Sequence, residues 1–156
     1  MKTATFLNRD EFLNHWQGHR KLTRRTIEKF PEEEFFTFSI GGMRTFGELV
    51  KELLTISVPG LEGIVNKDDK PFSHDIELAD KAAALKMWDE QTEQINELYN
   101  KISDEELYET FNLFGQYKDQ TNNNLMYFHD NEIHHRAQGF VYLRALGIEP
   151  PFFWER

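Results

Sequence analysis

A chain of 156 residues, with 39% hydrophobic, 14% aromatic and 29% charged residues, is long enough to bury one real core and too apolar to stay disordered. Its formal net charge of -9 argues against nucleic acid as the main partner, because phosphate binding needs a basic surface. No apolar run approaches the roughly 18 residues of a membrane span, residues 1–7 lack the apolar stretch of a leader, and zero cysteines exclude disulfides, thiolate ligands and a Cys nucleophile. The expectation is one soluble, cytoplasmic domain over residues 1–156, with no membrane or nucleic-acid partner.

Asn8 and Glu11 have the spacing of a capping box. Behind them Phe12, Trp16, His19, Thr23, Ile27 and Phe30 recur at three- and four-residue steps, the period of a helix burying one face, and Pro31 stops it. The basic run Arg20, Lys21, Arg24 and Arg25 lies on this helix and reads as a solvated face. Residues 35–40 alternate loosely enough to be extended, and Gly41-Gly42 ends them. Thr45 and Glu48 open a second helix through Phe46, Leu49, Val50, Leu53 and Ile56, which Pro59-Gly60 is expected to kink or interrupt. After a polar loop over residues 66–74, the seam Leu85, Trp88, Thr92, Ile95, Tyr99 and Ile102 predicts a third helix. Ser103 and Glu106 read as another capping box opening a short helical segment to Leu113, followed by a loop over residues 115–123. The fourth helix spans about 124–146, closed by Gly147 and then Pro150-Pro151. Four long helices without convincing strands predict an all-α four-helix bundle, with one crossover connection through residues 103–123.

On the fourth helix, Asn124, Phe128, Asn131, His135, Gln138, Tyr142 and Leu146 share one face at 100° per residue. Phe128 and Leu146 turn that face inward, so its amides, imidazole and phenol need partners. They form either a hydrogen-bonded ladder or a ligand site, because residues at i and i+4 can reach one ion. His134 points away from this stripe. His15 and His19 form a second i, i+4 pair on the first helix, for which the sequence names no third ligand, and His19 also fits a packing role on the apolar seam. His129 and His74 have no assignable role.

The run Asn131-Glu132-Ile133-His134-His135-Arg136-Ala137-Gln138, continued by Val141-Tyr142-Leu143-Arg144-Ala145-Leu146-Gly147 and Pro150-Pro151, resembles the carboxy-terminal signature of the DinB-like family. The second-helix segment Met43-Arg44-Thr45-Phe46-Gly47-Glu48-Leu49-Val50 is similar to that family's second helix. The resemblance implies a four-helix bundle, commonly dimeric, with a divalent metal such as Zn²⁺ or Ni²⁺ held by one second-helix ligand and an i, i+4 pair on the fourth helix. Relatives include thiol-dependent transferases and isomerases. In such enzymes a metal lowers the pKa of a cosubstrate thiol.

The three ligand positions that the resemblance implies fall on Glu52, Asn131 and His135. The first is usually His, and the second is usually His or a carboxylate. Only His135 keeps the family's ligand, and Asn is a neutral, weak oxygen donor. Gln138, Tyr142 and Asn124 stand as cleft or supporting residues. Two readings follow. One is a metal-dependent enzyme of thiol-transferase or hydrolase type with an altered site. The other is a degenerate, metal-free dimeric bundle that binds a small ligand or a partner protein. The apolar surface of Phe140, Val141, Leu143 and Leu146, with Phe152, Phe153 and Trp154 beyond them, predicts a homodimer.

Overall fold

The computed structural model describes residues 5–156; the first four residues of the segment read for a leader lie outside them. The described chain is mostly helical, with helices α1 (Arg9–Lys29), α2 (Glu32–Phe35), α3 (Phe46–Asn66), α4 (Lys81–Tyr99) and α5 (Thr121–Ala145). A 3-10 turn at Glu106–Tyr108 and strands β1 (Thr110–Leu113) and β2 (Tyr117–Gln120) lie between α4 and α5. No helix of the described residues is long and apolar enough to cross a membrane.

The capping signals act where the sequence places them. Asn8 and Glu11, and again Thr45 and Glu48, exchange both side-chain-to-backbone bonds and so fix where α1 and α3 begin. Asp80 accepts from the Ala83 amide to start α4. The long helices make their main contacts in the ring α1–α4–α3–α5. The α1-to-α3 and α4-to-α5 links therefore both join helices that are not ring neighbours, where the sequence suggests a single crossover.

Two local expectations fail, and of the two outcomes expected at Pro59 the interruption does not occur. α3 runs through Pro59 without interruption. Proline costs about 3 kcal/mol in a helix interior, but Ile56, Val58, Leu61 and Ile64 around it are all buried, and each such burial stabilises by roughly 1.5–3 kcal/mol. Packing wins. Residues 35–40 form no strand; Pro31 instead caps a single helical turn, and the Phe38 amide bonds back to the Glu34 carbonyl. Finally, Ser103 and Glu106 do exchange capping bonds, yet only one 3-10 turn follows. The chain then turns back as an antiparallel hairpin pairing Thr110 with Gln120 and Leu113 with Tyr117. Phe114 and Gly115, at φ 55° and 69°, make the reversal, and α5 starts at Thr121, three residues before the predicted position.

The core has two apolar parts. Phe12, Trp16, Leu61, Ile95, Tyr99 and Phe128 form one; Ile27, Phe30, Phe46, Leu53, Trp88, Tyr142 and Leu143 form the other. Buried polar groups lie at the helix levels between them: His19, Arg20 and Thr23 of α1 and Glu132 and Arg136 of α5. Glu132 is fully buried and accepts from Trp16 Nε1 at 3.2 Å and Thr23 Oγ1 at 2.6 Å. Burial pushes its carboxyl pKa upward, against the nearby arginines and these bonds. Arg20 lies over the Trp88 ring at 3.9 Å and donates to the Trp88 carbonyl.

Candidate functional site

The facing surfaces of α3 and α5 hold the candidate site. Their approach is set by Gly139, at which an added Cβ would overlap the Phe46 ring, and by Phe46 stacking on Phe30 at 4.4 Å between centroids. Tyr142 closes the same end, its hydroxyl donating to the Arg44 carbonyl at 2.7 Å. This packing presents Glu52 of α3 to His135 of α5, with His135 Nε2 at 3.0 Å from Glu52 Oε1. Arg44 pairs with the other oxygen, Oε2. The bond from His135, reinforced by Arg44, outweighs desolvation and holds the Glu52 carboxyl at about 2, below its usual range.

An ionised carboxylate only accepts hydrogen bonds, so His135 Nε2 is the donor in this contact. Its Nδ1 lies 2.7 Å from the side-chain oxygen of Gln138, whose amide nitrogen faces Met43 Sδ at 3.9 Å. With Nε2 donating, the imidazole lone pair is on Nδ1, so the Gln138 amide pairs with it when turned to present its nitrogen; His135 Nε2 and both carboxylate oxygens are engaged within the protein. Asn131, one turn before His135, is half-buried, and its Nδ2 has no hydrogen-bond partner. Asn124 lies apart from this group, reaching the Phe111 carbonyl at 3.4 Å and tying α5 to the hairpin.

Beside Glu52 is a cleft of about 270 Å³, walled by Phe72, Phe114, Tyr117 and Tyr127 and edged by His74 and Gln116. The hairpin carries Gln116 and Tyr117 to its rim. Thr55 Oγ1, 3.2 Å from His74 Nδ1, anchors the imidazole, and the Tyr117 and Tyr127 rings stack at 5.9 Å.

Of the residues singled out in the sequence, Glu52, His135 and Gln138 lie in one row of contacts and Tyr142 reaches Arg44 beside them; Arg44, His74, Tyr117 and Tyr127 are not singled out there. Arg44 precedes its helix, so helical phase says nothing of it. The other three depend on the loop after α3 and on the hairpin.

A second cluster lies across α5. His129 meets His15 and His19 of α1, with their ligating atoms all within 4.8 Å of one another, and these three residues could hold a metal ion. His19 is buried on the seam as the packing role expects, and His129 is the third imidazole that spacing along α1 left unnamed.

Helices, hairpin and the inward polar face of α5 define the class: the sequence matches the DinB family over residues 1–155, and the chain belongs to that family. It is similar to an uncharacterized protein, YjoA, of Bacillus subtilis (strain 168), at 26% identity over 152 residues, covering 94% of this chain and 97% of that one. The crystal structure of a DinB-like protein from Bacillus cereus superposes with a TM-score of 0.75 at 16% identity, covering 92% of this chain and 95% of the other. That of B. subtilis YjoA, a DinB-like protein, superposes with a TM-score of 0.72 at 25% identity, covering 92% and 98%.

Proposed function

We propose that this protein is a DinB-family four-helix bundle that binds a small molecule in the cleft beside Glu52, without a metal at the α3–α5 position. One observation carries the proposal: the His135 Nε2 proton and both Glu52 oxygens are already hydrogen-bonded, to each other and to Arg44. An ion there would have to strip a proton from His135 Nε2 and break the carboxylate's pairing, with only a neutral amide at Asn131 as third ligand. Such a donor set suits Zn²⁺ or Ni²⁺ poorly, so the reading as a metal-dependent thiol transferase or hydrolase has less support.

The cleft's chemistry specifies the ligand class. Four aromatic walls favour a planar or apolar body, and the ionised Glu52 in its lining, each of whose oxygens keeps a second lone pair beside its bond to Arg44 or His135, favours a cationic or N–H-donating end. A volume of about 270 Å³ suits a molecule smaller than a typical drug.

Benzylamine is a suitable probe, with benzoate as its charge-reversed control. Titration followed by NMR should move the Tyr117 and Tyr127 ring signals with benzylamine and not with benzoate, and Glu52→Gln should weaken the effect at least about tenfold, in line with loss of a charge-assisted bond. Equal binding of the two probes, or Zn²⁺ shifting the His135 ring stoichiometrically, would defeat the proposal. Conversely, Glu52→His with Asn131→His should create a Zn²⁺ site between α3 and α5.

A further inference from the structure

We propose that His15, His19 and His129 form a divalent transition-metal site, and that the Arg156 guanidinium is its displaceable plug. The cluster lies on the α1 side of α5, separate from the Glu52–His135 contact on the α3 side. The inference stands independently of the proposed cleft ligand.

Three observations converge. The first is geometric: the ring centroids lie 4.6 Å apart for His15–His19, 5.0 Å for His15–His129 and 4.7 Å for His19–His129. Three imidazoles so arranged match the ligand set of three-histidine zinc sites. The second is an unmet requirement. His129 is only 5% exposed, yet both of its ring nitrogens are buried without a hydrogen-bond partner. The Asp130 carboxylate oxygen is 3.7 Å from its Nδ1, too far for a bond. A buried polar group left unpaired is costly, and a coordinated ion would satisfy it.

The third observation is a cation already lying against the cluster. Arg156 Nη1 is 2.9 Å from His19 Nε2, where His15 Nε2 also approaches at 3.2 Å. On the ring's other side Arg136 Nη2 is 2.8 Å from His19 Nδ1. Guanidinium only donates, and a neutral imidazole has one lone pair. One of the two arginine contacts is therefore donor against donor. Exposed His15 supplies the route in.

For an ion to bind through His19 Nε2, Arg156 must leave and the ring proton must sit on Nδ1. Arg136 then gives up its Nη2 contact but keeps its bonds to the His19 carbonyl and Thr23 Oγ1 through Nη1. The two arginines oppose a dication by simple repulsion. Arg156 is the one of the two that lies outside the helices, and so the one free to move.

The test uses the full chain made without a histidine tag and stripped with chelator. Titration with Co²⁺, followed by its visible absorption, and with Zn²⁺ by calorimetry should give one ion per chain, with the intense Co²⁺ bands of a four-coordinate site. His129→Gln should weaken binding at least about 100-fold, as losing one of three ligands exceeds the effect of disturbing an outer partner. His15→Gln, at an exposed position, should do the same with unchanged thermal unfolding, which covers the case in which His129→Gln misfolds. Arg156→Gln should tighten binding about tenfold by removing a like charge. No binding of either ion, or binding that survives both histidine replacements, overturns the site. Unchanged affinity in Arg156→Gln overturns the plug. Binding lost in His135→Gln but kept in His129→Gln would place the ion between α3 and α5 and overturn the proposed function as well.

Discussion

Gly139→Ala tests whether close approach of α3 and α5 sets the candidate site. An added methyl would lie 2.7 Å from Phe46 Cζ and 2.8 Å from Cδ2, and nearer still to Cε2, well inside normal contact. Phe46 cannot retreat, because it is fully buried with Phe30 stacked on it at 4.4 Å and 17°. Overpacking of this kind costs about 1–3 kcal/mol, and the trapped ring points to the upper end. The substitution also gains about 0.8–1.0 kcal/mol of helix propensity. The net effect is a loss of about 2 kcal/mol, or about 4–8 °C in Tm for a domain of this size. Thermal unfolding by circular dichroism measures it directly. The His135 ring signals should shift too, because the methyl wedges the helices apart one turn from the Glu52 contact. In a Phe46→Leu background most of the penalty should vanish, a coupling that a double-mutant cycle isolates. A variant that melts at or above the parent temperature would refute the reasoning.

Acidification should destabilise the fold before most carboxylates titrate. His19 and His129 have folded pKa values below the ordinary 6.5, so their contribution is full above that pH and is lost as pH falls from about 6.5 toward 3, the unfolded chain taking the proton first. Glu52, held at about 2, adds a loss of the same sign below its ordinary 4.5; Glu132, raised by burial, acts oppositely. Urea midpoints at pH 7.5 and 5.5 should therefore differ less in His19→Gln than in the parent, and an equal difference would contradict the assignment. Glu132→Gln should cost about 3–5 kcal/mol, the usual penalty for removing one partner from a buried charged group, read from chemical unfolding; a loss under about 1 kcal/mol would mean that the charge is dispensable. Phe152, Phe153 and Trp154 are 49%, 64% and 61% exposed, so light scattering should find a homodimer that removal of residues 152–156 weakens, whereas a mass near 18.6 kDa would rule it out.

The long helices were legible because local chemistry and apolar period agree: Asn8 with Glu11 and Thr45 with Glu48 fix the starts, and Phe12 through Phe30 or Leu85 through Tyr99 show one buried side. The helical phase of α5, together with the family resemblance, also pointed Glu52 and His135 toward a common cleft. It could not expose the second role of α5. That helix packs against α3 through His135, Gly139 and Tyr142 and against α1 through His129, Glu132 and Arg136, so no single polar stripe describes it. The hairpin was illegible for another reason. Four residues per strand give too little alternation to stand against a capping box that does form, and the reversal depends on Phe114 adopting a positive φ, which nothing about a phenylalanine announces.

The polar groups between the two apolar halves of the core limit how the chain can vary. An apolar seam alone tolerates sliding, since one leucine-like side chain replaces another after a turn of about 5.4 Å. Here a one-turn slip of α5 would carry Glu132 away from Trp16 and Thr23, and Arg136 away from the His19 carbonyl, leaving charges stranded among hydrocarbon. Insertions and deletions should therefore survive at the helix ends, in the 67–80 loop and at the hairpin tip. Within residues 16–23 and 128–136, even a gap that preserves helical phase should be lethal to folding. Length variation among relatives of this chain ought to be distributed accordingly.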